Sequence, residues 1–494
     1  MNVQPKVRLP LVIMIFIMVF NVMDARAFSL LGPFESWMTF TNGFYPSDED
    51  EIGGPMCISN EYRWNVPVVT YGFDHSFLDY FGTNGVAAVE SAIAVLNNLP
   101  PASQIAASNC PTDATYYNYA AQSKELIDLK SEALFLLVEH LGLAAPSLGV
   151  FCLKDFWFTN GVITGDVLQR NFDPFTGLPS NYIGDTLLTY QLQYSVFGGE
   201  TNAWAVTLPV NPLDSNPTTV ANGVPEAGAF FSGLTCDDVG GLRYLYATNN
   251  VNYETLPAEV RGVNGSAFVN AAWRPGIDKI TFVPQPIDGV SGAFLSATNQ
   301  FTDTYITNGN IVRQQLDRVT VQPDFLFCAT NLMNNSYWFS RTGTTNWLNE
   351  AALNGSSSPA GPGVIVPPVR ISFNKLGKIW NSLRGFPDDS ANVQTGEQWG
   401  TYDGSTNLPV AYPQLQTGTN QTTIQMTLVM NNATSEYSWQ VAGVADAEFD
   451  FQTSTNLSDW VTLFVVPNDG SFNSYINWNP SSVQRFYRIV PKNY

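Results

Sequence analysis

The chain has 494 residues, too many for one ordinary hydrophobic core, and 45% of them are hydrophobic, enough for several cores. Lys and Arg number 22 against 42 Asp and Glu, and the resulting net charge of −20 repels phosphate backbones and argues against nucleic acid as a partner. Two histidines and five widely spaced cysteines give no C-x-x-C motif and leave little material for imidazole or thiolate metal sites.

At the start of the chain, Lys6 and Arg8, the apolar run 11–23 and Ala25-Arg26-Ala27 follow the order of a secretory signal peptide over residues 1–27. Cleavage is expected before Phe28. The apolar run is shorter than the roughly 20 residues of a spanning helix, so no membrane span is expected in the mature chain. The acidic run 47–51 offers structural calcium or a solvated loop, without the D-x-D-x-D-G pattern of a dedicated calcium loop. Segment 66–73 has the β-branched and aromatic content of a buried strand. In segment 85–97, Val86, Val89, Ile93 and Leu96 recur at helical spacing. Segment 124–143 predicts a second helix, buried and central, through Leu126, Leu129, Leu134, Leu137, Val138 and Leu141. Residues 150–231 read as strands with many breakers. Thr235 then caps a third helix, with Asp237 and Asp238 at its positive end and Leu242, Leu245 and Tyr246 on its apolar face.

This order resembles the matrixin branch of the metzincin proteases over roughly residues 64–248. The points of likeness are the first strand and helix, the leucine-glycine-leucine at Leu141-Gly142-Leu143, and the acid-capped helix ending at Tyr246. Aligned on Gly142, the family's three zinc-ligand positions fall on Phe135, Glu139 and Ala145, and its general-base position on Leu136. An HExxH helix places two histidines four residues apart on one face with a glutamate base between them. Here His140 has no such partner. The resemblance implies a metzincin-like domain that is not a zinc protease.

Beyond residue 255 short strands predominate. The expected order is an α+β domain over 28–250, a β-rich domain over 251–354 and a linker at 355–368. A β-rich segment over 369–440, continuous with 251–354 or separate from it, and a C-terminal β-sandwich over 441–494 complete the chain. One short helix is expected at 375–383. Ser454-Thr455-Asn456-Leu457 with Trp460, followed by Arg485-Phe486-Tyr487-Arg488, resembles the small C-terminal β-domain of secreted proteins of Verrucomicrobia and related bacteria. That likeness implies bacterial extracellular or cell-surface display.

The sequence offers no catalytic, cofactor or metal residues with recognisable spacing. His75 with His140 could share a metal only if the fold brought them together. Asp237 with Asp238 and Asp388 with Asp389 are adjacent carboxylates better explained by capping and a turn, and Trp399, Tyr402 and Trp478 are candidate sugar-stacking rings. The expected function is a secreted or cell-surface structural or adhesive protein with an inactive protease-like domain, binding an extracellular glycan or protein or assembling with itself. The alternatives are a secreted carboxylate-dependent hydrolase of polysaccharide or peptide, and a non-catalytic carrier of a carbohydrate-binding module.

Overall fold

The computed structural model describes residues 27–44, 53–214, 218–223, 226–289, 291–330, 341–349, 362–375, 379–381, 386–388 and 398–413, and the strands 425–431, 436–442, 447–454, 461–468, 474–478 and 486–491. Two compact units divide the chain, Met1–Gln414 and Leu415–Tyr494. The protein is mainly β. Among the described residues, helices longer than one turn occur at α1 (His75–Asn97), α2 (Leu129–Glu139) and α3 (Cys236–Tyr246).

The first unit is organised on a sheet whose main path runs through β1 (Val68–Phe73), β2 (Thr281–Pro284), β3 (Phe325–Thr330), β4 (Arg341–Asn349) and β5 (Gly363–Asn374), in the order β2-β1-β3-β5-β4, with the short strand Tyr62–Arg63 also paired to β5. β1 runs parallel to both β2 and β3, β5 is parallel to β3, and β4 is antiparallel to β5. The expected boundary at 250/251 is therefore not a boundary. The first strand of the supposed N-terminal domain has both hydrogen-bonded neighbours beyond residue 280. The 355–368 linker is corrected as well: residues 363–368 begin β5, and residues 355–361 lie outside the described set.

Helix boundaries follow local chemistry. α1 begins ten residues earlier than its apolar spacing predicts, because Asp74 caps it by accepting from the Phe77 N–H, and it passes a non-helical Gly82 (φ 59°) on the way. α2 is shorter than the predicted 124–143, since residues 126–128 form a strand that pairs parallel with Gln398–Thr401. Asp128 then starts the helix by accepting from the N–H of Ser131 at 2.9 Å. Ser131 through Val138 are all buried, the polar Ser131 and Glu132 among them. Thr235 caps α3 in a reciprocal capping box with Asp238. α1 packs against α2 and the sheet, and Phe73, Phe77, Phe81, Phe327 and Phe373 form a continuous aromatic cluster between them.

The helix expected at 375–383 is not formed at its centre. Ile379–Asn381 is a strand paired with Phe386–Asp388. The second unit holds two three-stranded antiparallel sheets, one of Gln425–Asn431, Glu436–Ala442 and Ser474–Trp478, the other of Ala447–Ser454, Val461–Asn468 and Phe486–Pro491. The C-terminal unit thus starts before residue 441, because 436–442 pairs with 474–478. Most of the S-T-N-L-x-x-W signature lies outside the described residues.

Candidate functional site

The helix matched to the zinc proteases is sealed. Phe135 and Leu136 are buried at 7% and 2% exposure, Glu139 is half-buried, and Ala145 sits in the turn beyond the strand Leu143–Ala144, half-buried before Pro146. His140 is fully buried at the end of α2. Its Nδ1 lies 2.8 Å from the Leu136 carbonyl, which can only accept, so Nδ1 carries the proton. Its own carbonyl accepts from Trp64 Nε1 at 2.8 Å, and its ring meets Phe325 edge-on. Burial pushes the imidazole down to about 4. His75 is exposed at the start of α1, so the two histidines do not share a site. Among the described residues no group of three His, Cys, Asp or Glu side chains could hold a metal, and the acidic run 47–51 lies outside them.

The adjacent aspartates are structural. Asp238 accepts from the N–H groups of Thr235, Val220 and Ala221, and Asp237 accepts from those of Ala27 and Gly184. Asp388 ends a two-stranded ribbon, and Asp389 lies outside the described residues. Two of the rings expected to be exposed are core. Trp399 has no exposed surface and donates from Nε1 to Asn374 O, while Tyr402, at 8% exposure, donates to Leu126 O and Ala229 O. The side chain of Trp478 is outside the described set. In each case a polar ring atom with an internal acceptor allows full burial.

Other residues gather where the sequence gave no signal. A cleft of about 1250 Å³ is lined by Phe175, Trp273, Arg243, Asn250, Asn252 and Asp173 among others. Trp273 belongs to the strand Ala271–Pro275, in which Ala272 and Arg274 turn inward, so strand alternation sends its ring outward at 49% exposure. Phe175, 53% exposed, is held in a turn by Asp173, whose Oδ1 accepts from the N–H groups of Phe175 and Thr176 and from the Thr176 hydroxyl. Arg243 projects from the last turn of α3 and forms no ion pair among the described residues.

Behind this surface lies a buried ionic layer. Glu61 Oε1 accepts from the side-chain amides of both Asn250 (2.9 Å) and Asn252 (3.2 Å), fixing which way each amide faces. Arg63 donates through Nε to Glu254 at 2.7 Å and through its terminal nitrogens to the carbonyls of Leu245, Asn250 and Arg274. Burial pushes the Glu254 carboxyl up, and Arg63 works against that shift. Arg274 forms a two-pronged pair with Asp303. These groups are inaccessible and hold the cleft's shape. Asp173 is the one carboxylate among the residues lining the cleft, and it is engaged in its turn. No hydropathy pattern marks the cleft in the sequence, since its residues come from separate stretches that include 102–103, 173–177, 243–252 and 273.

Compared with family models, curated proteins and solved structures, the chain matches none. Among the described residues no helix is long and apolar enough to cross a membrane.

Proposed function

We propose that this chain is a secreted, non-catalytic surface or adhesive protein that holds an extracellular glycan in the cleft between Phe175 and Trp273. The observation that carries this reading is one lining that combines two exposed rings, the Asn250 amide oriented by a buried carboxylate and the Arg243 guanidinium, which has no ion pair among the described residues. Aromatic faces take the apolar faces of sugar rings, and oriented amide and guanidinium groups take their hydroxyls. The α1–α2–α3 portion is read as a metzincin-like arrangement whose metal positions have become packing, and the C-terminal unit as a small β-sandwich for display. The same burial that removes the zinc positions supports a non-enzymatic role. Affinity electrophoresis of the full chain against a panel of soluble polysaccharides tests the proposal. Retardation by at least one polysaccharide is expected, weakened at least tenfold in Trp273→Ala with an unchanged melting temperature. Absence of retardation across the panel, or full retention by Trp273→Ala, overturns it, and release of new reducing ends would replace it with a hydrolase.

A further inference from the structure

Two cysteines that stand 126 positions apart are brought together at the start of α3. Cys110 follows the helical turn Ala107–Asn109, which lies against α3, and its half-buried side chain packs on the main core. The next carbonyl along the chain, that of Pro111, accepts from the backbone N–H of Cys236 at 2.8 Å and from its Sγ at 3.0 Å. The Cys236 sulfur therefore sits at the carbonyl of the residue that follows Cys110. Consecutive Cα atoms are about 3.8 Å apart, and a disulfide spans a Cα separation of about 4.4 to 6.8 Å. The remaining thiols have other surroundings. Cys152 Sγ turns to the Leu148 and Gly149 carbonyls, Cys57 Sγ accepts from Asn60, and Cys328 is buried within β3.

We infer that Cys110 and Cys236 form a disulfide once the chain meets an oxidising compartment. Each thiol loses its proton and the sulfurs join. The two electrons pass by thiol–disulfide exchange to a disulfide oxidant such as oxidised glutathione, which leaves as two thiols. The bond would close a long loop and pin the first residue of α3, the turn where Asp237 and Asp238 also accept from the backbone N–H groups of Gly184, Val220 and Ala221.

The test is a non-reducing peptide map of the wild-type full chain, equilibrated with oxidised and reduced glutathione and trapped with an alkylating reagent after unfolding. The expected result is one cross-linked peptide joining Cys110 to Cys236, with Cys57, Cys152 and Cys328 alkylated. Cys110→Ser and Cys236→Ser should each lower the melting temperature of the oxidised protein by about 5 °C, and reductant should bring the wild type down to the variants. Alkylation of both Cys110 and Cys236 under oxidising conditions, or a cross-link from either to another cysteine, overturns the inference. The wild-type map decides even if a variant fails to fold.

Discussion

The backbone N–H of Ala27 donates to Oδ1 of Asp237 at 3.0 Å, a buried contact that spans 210 residues of chain. The other oxygen of the same carboxylate accepts from the N–H of Gly184 at 2.6 Å. One side chain in the first turn of α3 thus holds a distant turn, and in the uncleaved chain it also holds the residue that precedes the strand Phe28–Gly32. In the chain cleaved before Phe28, Asp237→Ala leaves the buried Gly184 N–H without an acceptor and should destabilise the first unit by about 2 kcal/mol, read as a lower denaturant midpoint with unchanged slope. A loss below about 0.5 kcal/mol, the range of an ordinary surface substitution, would show that the contact does not hold the fold.

Gly142 sits in the left-handed region at φ +108°, where α2 ends and the chain turns into the strand Leu143–Ala144. A Cβ at this position would collide with the carbonyl oxygen of Tyr62. The backbone shape and the close approach both require glycine. Gly142→Ala is expected to cost about 3 kcal/mol or more, or to prevent folding, whereas Gly161→Ala meets only the backbone penalty, because a Cβ there has open space at φ +80°. Thermal melts of the two variants side by side check the difference.

Burial moves two groups in opposite directions: His140 from 6.5 down to about 4, and Asp128 from 3.8 up to about 6. For His140 the unfolded chain takes the proton first, so its stabilising contribution is complete above pH 6.5 and is lost as pH falls toward 4. For Asp128 the folded chain takes the proton first, so its contribution is complete below pH 3.8 and is lost as pH rises through 6. The two oppose each other between pH 4 and 6. Relative to wild type, His140→Gln should therefore gain stability as pH falls across this window and Asp128→Asn should lose it, each by about 3 kcal/mol. Urea denaturation at half-unit pH steps measures both, and curves parallel to wild type would contradict the assignment.

The legible parts of this protein are those encoded within a few residues. Thr235 with Asp238 announced the start of α3, the wide apolar face of segment 124–143 announced a buried helix whose ends it placed too far out, and the absence of a histidine four residues from His140 ruled out an HExxH pair. The candidate cleft was not legible. Asn250 and Asn252 become oriented groups only because Glu61, some 190 residues away, accepts from both. Trp399 and Tyr402 read as exposed because nothing near them in the chain reveals the carbonyls of Asn374, Leu126 and Ala229 that satisfy their polar atoms.

By itself, the sequence determined the Thr235 cap of α3, the breakers, the acidic and histidine-poor chemistry, and the β-rich character of the chain beyond residue 255. Caps and periodicity act over one or two turns, so the residues that decide them are neighbours. Only the tertiary structure decided the domain boundary, because Val68–Phe73 takes its hydrogen-bonded partners from Thr281–Pro284 and Phe325–Thr330. Parallel strands need long crossovers, and a strand's own residues state that it wants neighbours without stating which ones. Glu61 with Asn250 and Asn252, and Pro111 with Cys236, likewise meet across more than 100 residues of chain.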